Sequence, residues 1–404
     1  MPLIQPFAGL RPVPEHVADV IAPPYDVLNT EEARERATGR PLSFLHVSKP
    51  EIDLEPDIDP YDPAVYQKGA GNFRRMIEQG VLQQDAAPWF YVYRLTMDEH
   101  RQTGLVAGVS VAAYNANRIR KHEFTRPQKE DDRVRQIEAL AAQTGPVFLS
   151  YPNAPAIDAK LAKFTDLPGD VDVTADDGVR HELWVVARDA DIQFFIDEFE
   201  VLPALYVADG HHRSAAAARV AKTRGDEAAQ YFLSVLFPHH QMQILDYNRV
   251  VCDLNGLTEQ VLVARISTDF DVVDSKTAVC PSRSGEFGMY LPGHWYRLTI
   301  YPERIPADDP VASLDVSLLS DTVLAPVLGV KDLRRDSRID FVGGIRGLQE
   351  LERRVDSGGM AVAFSLFPTQ MDQLMRVADS GEVMPPKSTW FEPKLADGMV
   401  SLMY

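Results

Sequence analysis

The stretch Leu205–Lys222, LYVADGHHRSAAAARVAK, runs an apolar segment into Asp-Gly, then two histidines, an arginine and an alanine-rich tail. Its apolar, β-prone beginning and alanine-rich end predict a strand, a turn and a helix. Gly210 permits a turn that a side chain would obstruct. The first amide hydrogens of a helix have no internal partner and the helix dipole is positive there, so phosphate is the natural guest. His211, His212 and Arg213 fall in that first turn. Arg213 can fork onto phosphate oxygens, a histidine can donate a hydrogen bond, and Ser214 adds a hydroxyl. Asp209 fits beside an anion where a divalent metal bridges the two. The plainer reading of the same residues has Asp209 capping the helix and the histidines in solvent.

Outward from this joint, a second polar cluster lies in RIRKHEFTRPQKEDDRVRQIEAL, from Arg118 to Leu140. Arg118, Arg120, Lys121, Arg126 and Lys129 crowd around His122, Glu123 and Thr125, a candidate anion pocket in an otherwise acidic chain. Glu123 can take the proton of a reacting hydroxyl during phosphoryl transfer, with Lys129, Asp132 and Arg133 lining the same pocket. The alternative is a surface loop whose charges pair with the following helix. A third stretch, MPPKSTWFEPKLADGMV, sets Lys387, Ser388, Thr389 and Lys394 around Trp390 and Phe391 in a proline-restrained loop that could close over a phosphate. A proline-rich terminal strand packing its aromatics into the core is the plainer account. His239 and His240 in FPHHQMQ lack the helical spacing of a zinc site.

Composition bounds these readings. The chain has 404 residues, 45% hydrophobic and 25% charged, with material for two or three cores. A formal net charge of -18 repels nucleic acid and anionic lipid over most of the surface, so an anion site must be a local basic pocket. Cys252 and Cys280 cannot form a disulfide framework and suit a reducing compartment, with the cytoplasm as default. The opening MPLIQPFAGLRPVPEHVADV lacks the layout of a signal peptide, and no apolar run approaches membrane-spanning length.

The pattern of elements predicts a mixed α/β fold. A short acidic helix is expected near Glu31–Ala37 behind an N-cap at Asn29 or Thr30, and helices over AVYQKGAGNFRRMIEQG and from Pro127 to Gln143. WFYVYRLTM, GLVAGVSVAAY, PVFLSY, HELWVVAR, ALYVA and YFLSVLFP read as strands, with a helix around Asp191–Phe199. Helices and strands alternate again to the C-terminus. Three portions follow approximately: 1–100, 101–255 with both polar clusters, and 256–404; one compact unit is the alternative.

PFAGLRP, VIAPPYDVL, KHEFTRPQKEDDR, YVADGHHRSAAA and MPPKSTWFEPKL together resemble the bacterial and archaeal family catalogued as domain of unknown function 1015. The Asp-Gly-His-His-Arg box is similar to the phosphate-binding box of the ParB/sulfiredoxin superfamily, whose members include free L-serine kinases that use ADP or ATP. The resemblance implies a ParB/sulfiredoxin-like nucleotide-binding core with additional N- and C-terminal α/β segments. It also implies a kinase that phosphorylates free serine, with Mg²⁺ and ATP or ADP. Carried over by motif, Asp209, His212 and Arg213 match the catalytic and nucleotide box, and Glu123 matches the catalytic glutamate. Gly210, His211, Ser214, Lys129 and Arg133 then belong to the phosphate site; His122, Thr125, Lys387, Ser388 and Thr389 belong to the acceptor site; Asp209 orients the metal. No sulfiredoxin-type cysteine stands in the box, so sulfinic acid reduction is not implied. Two other classes compete: a ParB-like nucleotide-binding regulator, and a metal-dependent hydrolase built from His211, His212, His239 and His240. The kinase reading implies a nucleotide and a small hydroxyl amino acid as partners, with no nucleic acid or membrane.

Overall fold

Apolar runs with no polar face become central strands, because a strand covered on both sides has no side to give to water. In the computed structural model, which describes residues 1–404, Val147–Tyr151 and Tyr231–Pro238 are buried along their whole length. They lie inside a nine-stranded sheet. Its strands are β1 (Ile4–Gln5), β2 (Phe90–Met97), β3 (His100–Ser110), β4 (Ile119–Arg120), β5 (Val147–Tyr151), β6 (Val171–Thr174), β7 (Arg180–Val186), β8 (Leu205–Asp209) and β9 (Tyr231–Pro238). Across the sheet the order is β4-β8-β5-β9-β3-β2-β7-β6, with β1 added to β3.

The longer helices of this unit are α1 (Pro63–Glu78), α2 (Pro127–Leu140), α3 (Pro155–Thr165), α4 (Asp189–Glu200) and α5 (His211–Arg224). Proline opens α1, α2 and α3, where its missing N–H costs nothing. Phe195 and Phe199 of α4 bury against Phe90, Leu149 and Tyr151 of the sheet. Ile137 of α2 meets Ala216 and Val220 of α5, which seats the two helices together. The acidic helix near the N-terminus runs Thr30–Ala37, with Asn29 and Glu32 forming a reciprocal capping box.

The fold is the mixed α/β type, but its division differs from the sequence reading. One unit comprises Met1–Met242 with Pro393–Tyr404; the other is Gln243–Glu392. The border expected near residue 100 does not exist, since β2 and β3 pair continuously from Tyr91↔Val106 to Met97↔His100. The border expected near 255 falls at 242, and the C-terminal segment rejoins the first unit instead of staying with 256–392. The strand expected over GLVAGVSVAAY stops at Ser110, whose hydroxyl accepts the Ala113 amide at 3.2 Å and starts a short helix.

The second unit is built on an antiparallel six-stranded sheet in the order Phe270–Ser275, His294–Ile300, Glu286–Leu291, Val362–Leu366, Tyr247–Val251, Ile339–Gly343. Val250, Trp295, Leu351 and Val355 form its core. Its two ends meet, because Gln243–Leu245 pairs antiparallel with Trp390–Glu392.

Candidate functional site

Strand direction brings the two polar clusters together. β4 runs parallel to β8, with Leu205 opposite Ile119, while β5 runs antiparallel to β8. The carboxyl ends of β4 and β8 and the amino end of β5 therefore share one edge of the sheet. Three segments leave from that edge: Lys121–Arg126, the turn at Gly210 and residues 144–146. A register shift between Val207 and Asp209 bends β8 as it reaches the edge, a common device beside functional groups.

At the turn, Gly210 adopts φ 97° and ψ 29°, a left-handed conformation that strains any L side chain. A Cβ there would also lie 3.2 Å from Arg213 Nε and 3.4 Å from Val147 Cα. No side chain caps α5, which excludes the reading of Asp209 as its cap. The Asp209 carboxylate instead meets Lys394 Nζ at 3.1 Å and Arg213 Nη2 at 3.8 Å. Burial opposes its ionisation, yet Lys394 and Arg213 outweigh that and hold it well below the usual carboxylate range. Asp209 is thus a fixed negative charge at the mouth of a helix that favours anions.

The histidines divide the work. The His122 and His211 rings meet edge to face, with centroids 4.5 Å apart. The His122 amide donates to His211 Nε2 at 3.5 Å, a weak bond that assigns the ring proton to Nδ1. That Nδ1 lies 3.8 Å from Glu123 Oε2. Burial pushes His122 down to about 4 and, with the His122 ring beside it, holds His211 well below the ordinary histidine value. Both are neutral hydrogen-bonding groups at pH 7. His212 Nε2 accepts the Arg126 amide at 3.0 Å and so ties the Lys121–Arg126 loop to the first turn of α5. Glu123 remains accessible, its side chain 46% exposed.

Other expected site residues have different local partners. The Thr125 hydroxyl bonds Glu130. Lys129 Nζ lies 5.7 Å from the Tyr61 ring centroid. Arg133 gives Nε and Nη2 to Asp132 at 3.0 and 2.8 Å and stacks at 3.7 Å on Tyr25, so its fork is already committed. Ser214 is corrected outright: fully buried, it donates to the His211 carbonyl at 3.0 Å and faces away from the cradle. Lys387, Ser388 and Thr389 belong to the second unit, where the Ser388 hydroxyl donates to the Pro385 carbonyl at 2.7 Å and Arg249 Nη2 donates to the Lys387 carbonyl at 2.9 Å. Ser388 and the backbone of Lys387 brace a turn there. His239 and His240 sit in a short helical turn directly after β9, and no three His, Cys, Asp or Glu side chains in the chain are grouped to hold a metal ion.

Sequence reasoning missed Tyr25, Asp26 and Asp397. The charges of Asp26 and Asp397 both act on buried Arg213. Tyr25, Arg213 and Asp397 line a small pocket beside the turn, with about 30 Å³ open to the centre of a water-sized sphere, and Arg213 Nη1 donates to the Pro146 carbonyl. The signal was present in VIAPPYDVL and KLADG, where isolated aspartates follow proline- or lysine-bearing turns.

A family model described as protein of unknown function, DUF1015, matches residues 4–317. Among solved structures, a mutant free serine kinase in complex with AMP is similar at 12% identity and TM-score 0.37, covering 71% of this chain and 86% of that one. A conserved hypothetical protein from Pyrococcus furiosus is similar at 13% identity and TM-score 0.36, over 72% and 93%. SbnI from Staphylococcus aureus, with a C-terminal truncation, is similar at 13% identity and TM-score 0.38, over 74% and 87%. No curated protein matches the chain. No helix is long and apolar enough to cross a membrane.

Proposed function

This chain belongs to DUF1015, a family of proteins of unknown function, and we propose that it transfers a phosphoryl group from ATP or ADP to the hydroxyl of free L-serine, giving O-phosphoserine. One observation carries the reading: the Glu123 carboxylate lies 3.8 Å from His211 in the first turn of a helix that no side chain caps. A base and an anion cradle therefore share one edge of the sheet.

The nucleotide phosphates take the free amides of the α5 first turn, where the helix dipole favours them. Lys121, Arg126 and Lys129 add positive charge to this edge of a chain whose net charge is -18. Glu123 accepts the serine hydroxyl proton as the hydroxyl oxygen bonds to the terminal phosphorus. The bond from that phosphorus to the bridging oxygen breaks, and the shortened nucleotide leaves with the electron pair. His211, neutral and protonated on Nδ1, orients Glu123; His212 positions the loop by holding the Arg126 amide. Asp209 fits Mg²⁺, since it stays ionised beside the cradle and Mg²⁺ commonly takes one carboxylate together with phosphate oxygens. When bound, that ion would neutralise phosphate charge.

The test is direct. Purified protein, L-serine and Mg²⁺ are incubated with ATP or with ADP, and O-phosphoserine is sought by mass spectrometry. No phosphoserine with either donor would remove the reaction. A protein that binds ATP yet transfers nothing to any hydroxyl amino acid is a nucleotide-binding regulator instead.

A further inference from the structure

The small pocket beside the turn, lined among others by Tyr25, Ser48, Arg133, Thr144, Arg213 and Asp397, contains more polarity than its walls satisfy. Asp397 is 2% exposed and its Oδ1 has no hydrogen-bond partner. Arg213 is 8% exposed and its Nε–H has none. The Ser48 hydroxyl is a third such group. Gly145 holds space open between the two charged residues, since a Cβ there would lie 3.4 Å from both Asp397 Oδ1 and Arg213 Cδ. Of the neighbouring charges, Arg133 is paired with Asp132, and Asp209, beside Lys394, is not part of the pocket lining. What the pocket offers a ligand is thus one buried acceptor of acidic type and one buried guanidinium donor.

We propose that this pocket receives the charged backbone end of a free α-amino acid, Asp397 taking the ammonium and Arg213 the carboxylate. The inference rests on the serine-acceptor reading and adds where, and by which groups, the acceptor is recognised. A simple anion would satisfy Arg213 and repel Asp397; a simple cation would do the reverse. A nucleotide phosphate brings a multiple negative charge against the same carboxylate. Only a ligand bearing both signs within a few bonds completes the pocket. Substrates lacking either charge leave a buried group unmatched, which is the arrangement that discriminates most sharply.

The pocket is tested by calorimetry without nucleotide, using L-serine, N-acetyl-L-serine and L-serine methyl ester. Serine binds, and each blocked analogue binds more weakly by roughly tenfold or more, the expected loss for one charge-assisted hydrogen bond. Asp397→Asn loses a similar factor, and Gly145→Ala, which fills the gap, loses affinity with the carboxylate and ammonium both intact. Asp397 is faced by Arg213 from α5, Arg133 from α2, and Tyr25 and Asp26 from the N-terminal loop, and it titrates near 7. Wild-type affinity therefore rises as pH passes upward through that value, whereas Asp397→Asn is flat. Absence of serine binding, N-acetylserine binding as tight as serine, or an unchanged affinity in Asp397→Asn each overturns the proposal. Failure of the transfer reading looks different: serine binds with this selectivity and no donor yields phosphoserine. Phosphorylation of serine and N-acetylserine at equal efficiency would sink the pocket and leave transfer standing.

Discussion

Replacing Asp397 by asparagine should stabilise the first unit in alkaline solution. Burial raises the Asp397 carboxyl from 3.8 to about 7, against the opposing pull of Arg213 and Arg133 and a hydrogen bond from the Tyr25 amide. The folded chain then keeps this proton across a range where the unfolded chain has released it, so stability falls as pH rises from about 4 to about 7. The distance between 3.8 and about 7 corresponds to about 4 kcal/mol. That figure is a ceiling, because relaxation and water entry reduce the cost of a buried charge. Asparagine keeps the shape and the acceptor oxygen but cannot ionise. Hydrogen exchange of the β8 amides reports the first unit without interference from the second. The wild-type and variant protection should agree near pH 4 and diverge by about 2–4 kcal/mol at about pH 8.5, the variant being the more stable. Parallel pH dependences in the two proteins would refute the argument that a strained carboxylate is retained in this pocket.

Other substitutions follow from the same geometry. Glu123→Gln should abolish phosphoserine formation and leave nucleotide affinity within about twofold by calorimetry, since the amide cannot accept the hydroxyl proton but adds no bulk. Gly210→Ala must hold φ near 97° and push against Arg213, so urea denaturation should show a loss of at least about 1–2 kcal/mol together with weakened nucleotide binding. Lys394→Met removes the ammonium 3.1 Å from Asp209 and leaves that carboxylate leaning on Arg213 alone. Denaturation should register a loss of about 1–3 kcal/mol, with the variant less stable at pH 7 than at acid pH relative to wild type.

The sheet was legible where strands are apolar on both faces, as in β5 and β9, and the joint at Gly210 was legible because few residues other than glycine suit its backbone angle. Glu123 reached the same edge as Gly210 through two residues of parallel pairing between β4 and β8, too short a strand for alternation to reveal. Side-chain direction was harder. Arg213 reads as a phosphate fork from position alone, but Pro146 and Asp397, remote in sequence, turn it inward. Ser214 lies one residue further along the helix, enough to rotate its hydroxyl from the mouth to the core. Lys387 and Lys394 look like one cluster in MPPKSTWFEPKLADG, yet the division between units falls at Glu392 and Pro393, where composition does not change. The supposed border at residue 100 was a polar hairpin turn between two strands.

Between Met242 and Pro393 the chain leaves its first unit, builds another and returns. Because Gln243 pairs with Glu392, the excursion starts and finishes at adjacent points, and the entropy of closing so long a loop is met within the inserted unit itself. During synthesis, α5 and its histidines leave the ribosome well before Lys394 and Asp397. A nascent chain halted inside the insertion would present Asp209 without its ammonium partner and the neighbouring cavity without one wall, so both are completed only once the whole excursion has been translated.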